Sequence, residues 1–120
     1  MTNYKKYLIK QHDSSDCAAA CLAMICMYYK KDSSITKLRD VLGTDIKGTT
    51  LKGLESGANK LGFDTKAIRV DKESFQSKYT LPAIAHVVTD EGLEDFVVIH
   101  KIKKDKVIIL DPDKGYQKRI

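Results

Sequence analysis

The sequence predicts an α+β protein in which a helical N-terminal half packs against an antiparallel sheet formed by the C-terminal half. Up to Gly62 the apolar residues recur at helical spacing or fill every position, and from Phe63 the pattern changes to short β-favouring segments. Helices followed by consecutive strands, without alternation of the two, are typical of α+β domains. The 120 residues contain no repeat and no Pro/Gly-rich linker, so we predict a single domain over residues 1–120.

Three helices are predicted in the first half. Residues 17–29 are apolar on nearly every face, which indicates a helix buried on all sides, and Asp16 or Ser15 can cap its start. A second helix is expected between Ser34, as its cap, and Gly43, as its end. A loop is expected at 44–50, and a third helix follows it and ends at Gly62. The apolar positions of these two helices are Ile35, Leu38 and Leu42, then Leu51, Leu54, Ala58 and Leu61.

The second half contains four predicted strands. Each is a short run of apolar and β-branched residues bounded by turn-forming or charged residues. A turn is expected where Asp, Pro and Gly cluster at 111–115, and a short helix at 72–79. The predicted strands are 65–70, 82–88, 96–102 and 106–110.

Composition excludes several classes of function. The net charge is +5, but the lysines are scattered and no aromatic residues alternate with them, so nucleic-acid binding is not predicted. The longest apolar run, 17–29, is 13 residues long, shorter than the roughly 18 residues that a membrane span needs. The N-terminus lacks a signal-peptide pattern, and three cysteines make no disulfide framework, so we expect a soluble fragment in a reducing, cytoplasmic setting. No metal-ligand spacing is present, and no metal site is predicted.

Cys17 stands at the boundary between a polar stretch and the long apolar run. At the first turn of a helix, the unpaired backbone N–H groups and the helix dipole stabilise a thiolate. The same N–H groups can donate to a developing oxyanion, and Gln11, on the preceding segment, can add a side-chain N–H. This arrangement is typical of a papain-like cysteine nucleophile, although a cysteine at a helix start is inert more often than catalytic.

Five segments carry a resemblance that covers essentially the whole chain; they read QHDSSDCAAACLAMI, LGTDIKGTTLKGL, LGFDTKAIRV, LPAIAHV and VIILDPDKG. Together they resemble the double-glycine leader peptidases, the papain-like N-terminal domains of bacterial ABC exporters that mature bacteriocins and peptide pheromones. The resemblance implies that Cys17 is the nucleophile, that Gln11 is the oxyanion-hole side chain, and that Asp111 is the acidic member of the triad.

The resemblance also implies the partners and the location of the chain. The substrate is a precursor whose helical leader ends in a Gly-Gly or Gly-Ala pair, and cleavage after that pair is coupled to export. Transmembrane and nucleotide-binding domains would belong to the parent exporter, which would use ATP and Mg, whereas no cofactor is expected in this domain. The domain would lie at the cytoplasmic face of the bacterial cell membrane.

The sequence departs from the family at the catalytic histidine. That residue opens the strand that here reads DFVVIHK, and its position is occupied by Asp95, sixteen residues before Asp111. His100 is predicted to point to the face of the strand opposite to that of Asp95, and to lie roughly 16 Å further along the strand than Asp95. His86 is interpreted as a packed or hydrogen-bonded core residue, and His12 is the weakest substitute.

Asp95 therefore predicts a strongly impaired site. A carboxylate beside Cys17 destabilises the thiolate, and it is a poor acceptor for a thiol proton. The leading interpretation is a leader peptidase, a cysteine endopeptidase, that has lost its catalytic histidine. The alternative is a non-catalytic module of an ABC exporter that only docks the leader; the presence of Gln11, Cys17 and Asp111 together favours the first.

Overall fold

The computed structural model describes residues 8–9, 16–31, 33–43, 49–66, 80–88, 94–103, 106–113 and 115–119. Within these ranges, three helices precede a four-stranded antiparallel sheet whose strand order is β1-β2-β3-β4. The elements are α1 (Cys17–Tyr28), α2 (Ile35–Leu42), α3 (Leu51–Lys60), β1 (Ala83–Val88), β2 (Glu94–Lys103), β3 (Lys106–Asp111) and β4 (Gly115–Arg119). None of the helices in these ranges has the length and apolar character needed to cross a bilayer.

The first helix forms the centre of the core. Residues 18–26 of α1 are all buried, because α1 packs against α2 and against β2 of the sheet. A helix with neighbours on several sides has no solvent-facing stripe, which explains why its sequence lacks apolar periodicity. The prediction of a helix buried all round is confirmed, and this helix carries Cys17 at its first position.

The second and third helices begin and end largely as their sequences predict. Ser34 and Thr50 cap α2 and α3, each accepting a hydrogen bond from the backbone N–H three residues later. Gly43 ends α2 in the left-handed conformation, at φ +68°. Leu51, expected on the apolar face of the third helix, is 49% exposed, because it lies at the open first position of α3.

The sheet confirms three of the predicted strands, within one or two residues at the ends of β1, β2 and β3. The expected strand at 65–70 is wrong at Thr65 and Lys66, which are not in a strand, and 67–70 lie outside the described residues. The short helix expected at 72–79 also lies outside them. Strand β4 was not predicted, because its sequence, GYQKR, is mostly polar and lacks the apolar alternation of a half-buried strand.

Candidate active site

Cys17 is the first residue of α1, where the sequence analysis expects it. It is partly exposed and packs against the core, whereas Cys21 and Cys26 are buried at 0% and 1% exposure. Because of this difference, Cys17 is the thiol of the three that a solvent-borne reagent or substrate can approach. Exposure and position at a helix start together make it the candidate nucleophile.

Backbone N–H groups surround the Cys17 sulfur. One belongs to Phe96 on β2, and two belong to Ala18 and to Cys17 itself at the start of α1. Backbone N–H groups of a strand lie in the plane of the sheet. The sulfur therefore lies between the first turn of α1 and β2, and both elements contribute N–H donors to it.

The burial of Cys17 and the charge of Asp95 oppose the effect of these N–H groups on the pKa of the thiol. Burial raises the pKa of the Cys17 thiol above its ordinary value, and the Asp95 carboxylate raises it further. The N–H groups of Phe96, Ala18 and Cys17 act in the opposite direction, but they do not outweigh burial and charge. The net result is a thiol that is less ionised at neutral pH than an exposed cysteine.

The two carboxylates of the expected triad lie on neighbouring strands. Val98 pairs with Leu110 across β2 and β3, and continuing this antiparallel register places Asp111 beside Val97. Asp95, two residues before Val97, shares its face of the sheet and is a diagonal neighbour of Asp111, a relation that spans about 7–8 Å between Cα atoms.

Both carboxylates raise the pKa of a cysteine near the start of α1. Burial raises the pKa of Cys21, one helical turn after Cys17, well above its ordinary value, and Cys17, Asp111 and Asp95 all add to that rise. Asp111 is buried at 7% exposure, and its Oδ1 accepts a hydrogen bond from the backbone N–H of Asp113 at 2.8 Å. This bond fixes the orientation of the Asp111 carboxylate at the end of β3.

The two described histidines lie on the other face of the sheet. His86 pairs with Phe96 and stacks on its ring, with 4.7 Å between the centroids, and Phe96 belongs to the core that packs on α1. His100 is buried and its ring lies 5.4 Å from that of Tyr28, also in α1. The prediction that His100 lies on the face of the sheet opposite to Asp95 is therefore confirmed. The interpretation of His86 as a packed residue is confirmed by its stack on Phe96, but its placement in the core is wrong, because the side chain is exposed.

The remaining expectations concern the segment before α1. Gln11 and His12 lie outside the described residues, so the oxyanion-hole role of Gln11 stays a prediction. Asp16 is the N-cap residue of α1, but within the described residues its carboxylate makes no capping hydrogen bond; it pairs with Arg39 on α2 instead. No local pattern in the sequence predicts this contact with Arg39, since the partners lie 23 positions apart in the sequence.

The reactivity of Cys17 should respond to the charge at position 95. We expect Asp95→Asn to lower the pKa of the thiol, because it removes a carboxylate that disfavours the thiolate and leaves burial unchanged. The alkylation rate at pH 7 should rise about two- to fivefold, the size of one nearby charge in a partly solvated site. The measurement is the rate of carboxamidomethylation of Cys17 as a function of pH, with the modified residue identified by peptide mapping.

Asp113→Asn, at an exposed position, is the matched control and should leave the rate–pH profile unchanged. An unaltered profile for Asp95→Asn would contradict the assignment of Asp95 to this site.

Comparison with known proteins finds the same fold and a common family. The profile of the peptidase C39 family matches residues 5–119. The structure is similar to the peptidase domain of Streptococcus ComA, a bi-functional ABC transporter of a quorum-sensing pathway, with a TM-score of 0.84, 34% identity, and coverage of 92% of this chain and 83% of that one. It is also similar to a double glycine motif protease from an AMS/PCAT transporter, solved with its leader peptide, with a TM-score of 0.83, 31% identity, and coverage of 92% and 76%. These likenesses confirm the predicted fold class.

Full-length relatives are processing and transport proteins. The chain is 40% identical over 111 residues to the lactococcin-G-processing and transport ATP-binding protein LagD of Lactococcus lactis. It is 37% identical over 112 residues to the transport/processing ATP-binding protein ComA of Streptococcus pneumoniae. In each case the match covers 92% of this chain, which spans only 16% of the length of these curated relatives.

Proposed function

The chain belongs to the peptidase C39 family, and from that premise we propose that it is a leader-peptidase domain of a peptide exporter whose cleavage step is impaired. It binds the leader of a bacteriocin or peptide-pheromone precursor, and the bond it acts on follows a Gly-Gly or Gly-Ala pair. The observation that carries the proposal is the position of Cys17, partly exposed at the start of a buried helix and surrounded by backbone N–H donors.

The proposed reaction is acyl transfer to the Cys17 sulfur. The thiolate attacks the carbonyl carbon of the second glycine, and the oxygen gains negative charge as the tetrahedral intermediate forms. The backbone N–H of Cys17 and the side chain of Gln11 are the proposed donors to that oxyanion. Collapse of the intermediate needs a proton for the leaving amine, and hydrolysis of the thioester needs a base to activate water.

Asp95 is unsuited to both proton transfers. The two transfers need one group that accepts and gives a proton near neutral pH, and the side chain whose unperturbed titration falls in that range is imidazole. Asp111, which would orient an imidazole at position 95, instead faces a second carboxylate. We propose that the loss of the imidazole reduces cleavage by several orders of magnitude.

The partners follow from the relatives. Their names describe processing and transport ATP-binding proteins, so we propose that this domain works beside transmembrane and nucleotide-binding domains of an exporter at the cytoplasmic face of the membrane. ATP and Mg belong to the nucleotide-binding domains, and the peptidase chemistry proposed here uses only side chains and backbone groups of this chain.

The second candidate is a leader-docking module that does not cleave at all. The aspartate at position 95 favours it, since a module that only docks has no need of a proton carrier. The retained Cys17 and Asp111 favour the peptidase, because docking requires neither a thiol at a helix start nor a carboxylate held by a backbone N–H. Both candidates require leader binding; they differ in whether restoring an imidazole restores cleavage.

We expect the domain to bind a double-glycine leader even without a histidine at position 95. Such leaders are amphipathic helices, and apolar anchors at helical spacing in a groove give most of the binding energy in this mode of recognition. Isothermal titration calorimetry with a synthetic leader should therefore give saturable binding, equal for the unmodified chain and Cys17→Ala. A leader with its apolar anchors replaced by serine is the matched control and should bind at least about tenfold more weakly. Failure of a folded sample to bind several double-glycine leaders would contradict the proposal.

A further inference from the structure

A partly buried ion pair connects the residue before Cys17 to the second helix. Asp16 is 1% exposed, and its Oδ1 accepts a hydrogen bond from the guanidinium of Arg39, which lies in the last turn of α2 and is partly exposed. A buried carboxylate needs a charged or hydrogen-bonding partner, and the guanidinium supplies both. The ion pair thus fixes the direction in which the Asp16 side chain points.

That direction is unusual for a residue at a helix start. An aspartate at the N-cap normally accepts a hydrogen bond from the first-turn N–H groups. Ser34 and Thr50 do so at the starts of α2 and α3. Asp16 is the N-cap of α1 and its carbonyl accepts from the N–H of Ala20 at 2.8 Å, yet its side chain makes no capping bond within the described first turn.

The donors left by Asp16 face the nucleophile. The backbone N–H of Ala18, the second residue of α1 and a position that a capping side chain reaches, lowers the pKa of the Cys17 thiol, and so does the N–H of Cys17 itself. We propose that Arg39 is a positioning residue, which holds the Asp16 carboxylate away from the first turn so that these N–H groups serve the thiolate and the oxyanion. The inference rests on the proposed role of Cys17 as a nucleophile, and it assigns to α2 a part in the chemistry at the start of α1.

The competing explanation is that the ion pair only fastens α1 to α2. Removing one partner of a buried pair is destabilising in either case, so a loss of stability alone does not distinguish the two. The distinguishing quantity is the ionisation of Cys17. If Arg39 is removed, the positioning role predicts that the Asp16 carboxylate rotates toward the first turn of α1 and accepts hydrogen bonds from the N–H groups there. This movement also brings a negative charge close to the Cys17 sulfur. A purely structural tie predicts an unchanged ionisation in the molecules that remain folded.

The test is the pH dependence of Cys17 alkylation in Arg39→Gln and in Arg39→Gln with Asp16→Ala. For the single variant we expect the alkylation rate constant at pH 7 to fall about tenfold, which is the size of effect that the loss of helix-start N–H donors has on the thiolate. The midpoint of the rate–pH profile should move to higher pH. The double variant should recover most of the loss, because the competing carboxylate is gone. Thermal unfolding of each variant gives the folded fraction at the assay temperature.

An unchanged midpoint in folded Arg39→Gln, or a double variant no more reactive than the single one, would overturn the proposal. If Arg39→Gln does not fold, Asp16→Asn takes its place: its neutral amide oxygen is free to cap the first turn, so reactivity should fall in the same direction, and an unchanged midpoint is again contradictory. Alkylation requires neither leader binding nor cleavage. Its outcome therefore stays separate from that of the calorimetry on which the proposed function depends.

Discussion

Asp95→His should raise cleavage of a double-glycine precursor by at least about a hundredfold, the scale of general acid–base catalysis. The substitution exchanges a carboxylate that disfavours the Cys17 thiolate for an imidazole that can accept the thiol proton and later pass it to the leaving amine. We propose residue 95 for this role because its carboxylate raises the pKa of the Cys17 thiol, which requires that the two side chains lie close together. The measurement is single-turnover cleavage followed by mass spectrometry of the two products.

Two variants serve as controls for this result. Asp95→Asn removes the negative charge without supplying a proton carrier, and it should leave cleavage near the level of the unmodified chain. Cys17→Ala added to Asp95→His should abolish cleavage. If the unmodified chain cleaves as fast as Asp95→His, another group supplies the base, and the assignment of residue 95 is wrong.

Asp111→Asn in the Asp95→His background should reduce the restored cleavage about ten- to a hundredfold. The carboxylate of Asp111 would orient the new imidazole and stabilise its protonated form, and an amide cannot supply the charge. An asparagine keeps an oxygen that can accept the Asp113 N–H, so the local geometry is retained and the charge alone is removed. The expected loss is in the rate of the chemical step rather than in leader binding, and single-turnover rates at saturating and subsaturating precursor separate the two.

Asp113→Asn is the matched control for this experiment. Its side chain is exposed, and its contribution to the site is a backbone N–H that the substitution retains. Cleavage by Asp95→His should therefore be unaffected by it. Equal losses from Asp111→Asn and Asp113→Asn would indicate a general effect of charge in the β3–β4 turn rather than an orienting role for Asp111.

The helical half of the fold could be predicted from the sequence because its signals are local. A capping serine at Ser34, a left-handed glycine at Gly43 and an apolar run after Cys17 each depend on residues within a few positions. The family could be recognised because several motifs occur in order, and the match over residues 5–119 confirms it. Position 95 could be singled out only through that resemblance.

The features that escaped prediction depend on tertiary contacts. Strand β4 is held by pairing with β3 on one side, so its sequence needs no apolar alternation. His86 is exposed on β1, which lies at one edge of the described part of the sheet, and the strand pattern does not reveal that position. The side chain of Asp16 leaves its capping role because Arg39, 23 residues away, competes for it. The first two outcomes depend on the place of a strand in the sheet, and the third depends on a partner distant in sequence.

The most direct test of the central claim uses a leader peptide that ends in a chloromethyl ketone after the double glycine. The claim is that Cys17 is the nucleophile of a leader-binding site whose base position is occupied by Asp95. This reagent binds as a leader and alkylates the nucleophile, so peptide mapping identifies the thiol and the labelling rate reports its activation. The account predicts a label on Cys17 alone in both proteins, formed at least about tenfold faster in Asp95→His than in the unmodified chain. Labelling of Cys21 or Cys26, or equal rates in the two proteins, would contradict it.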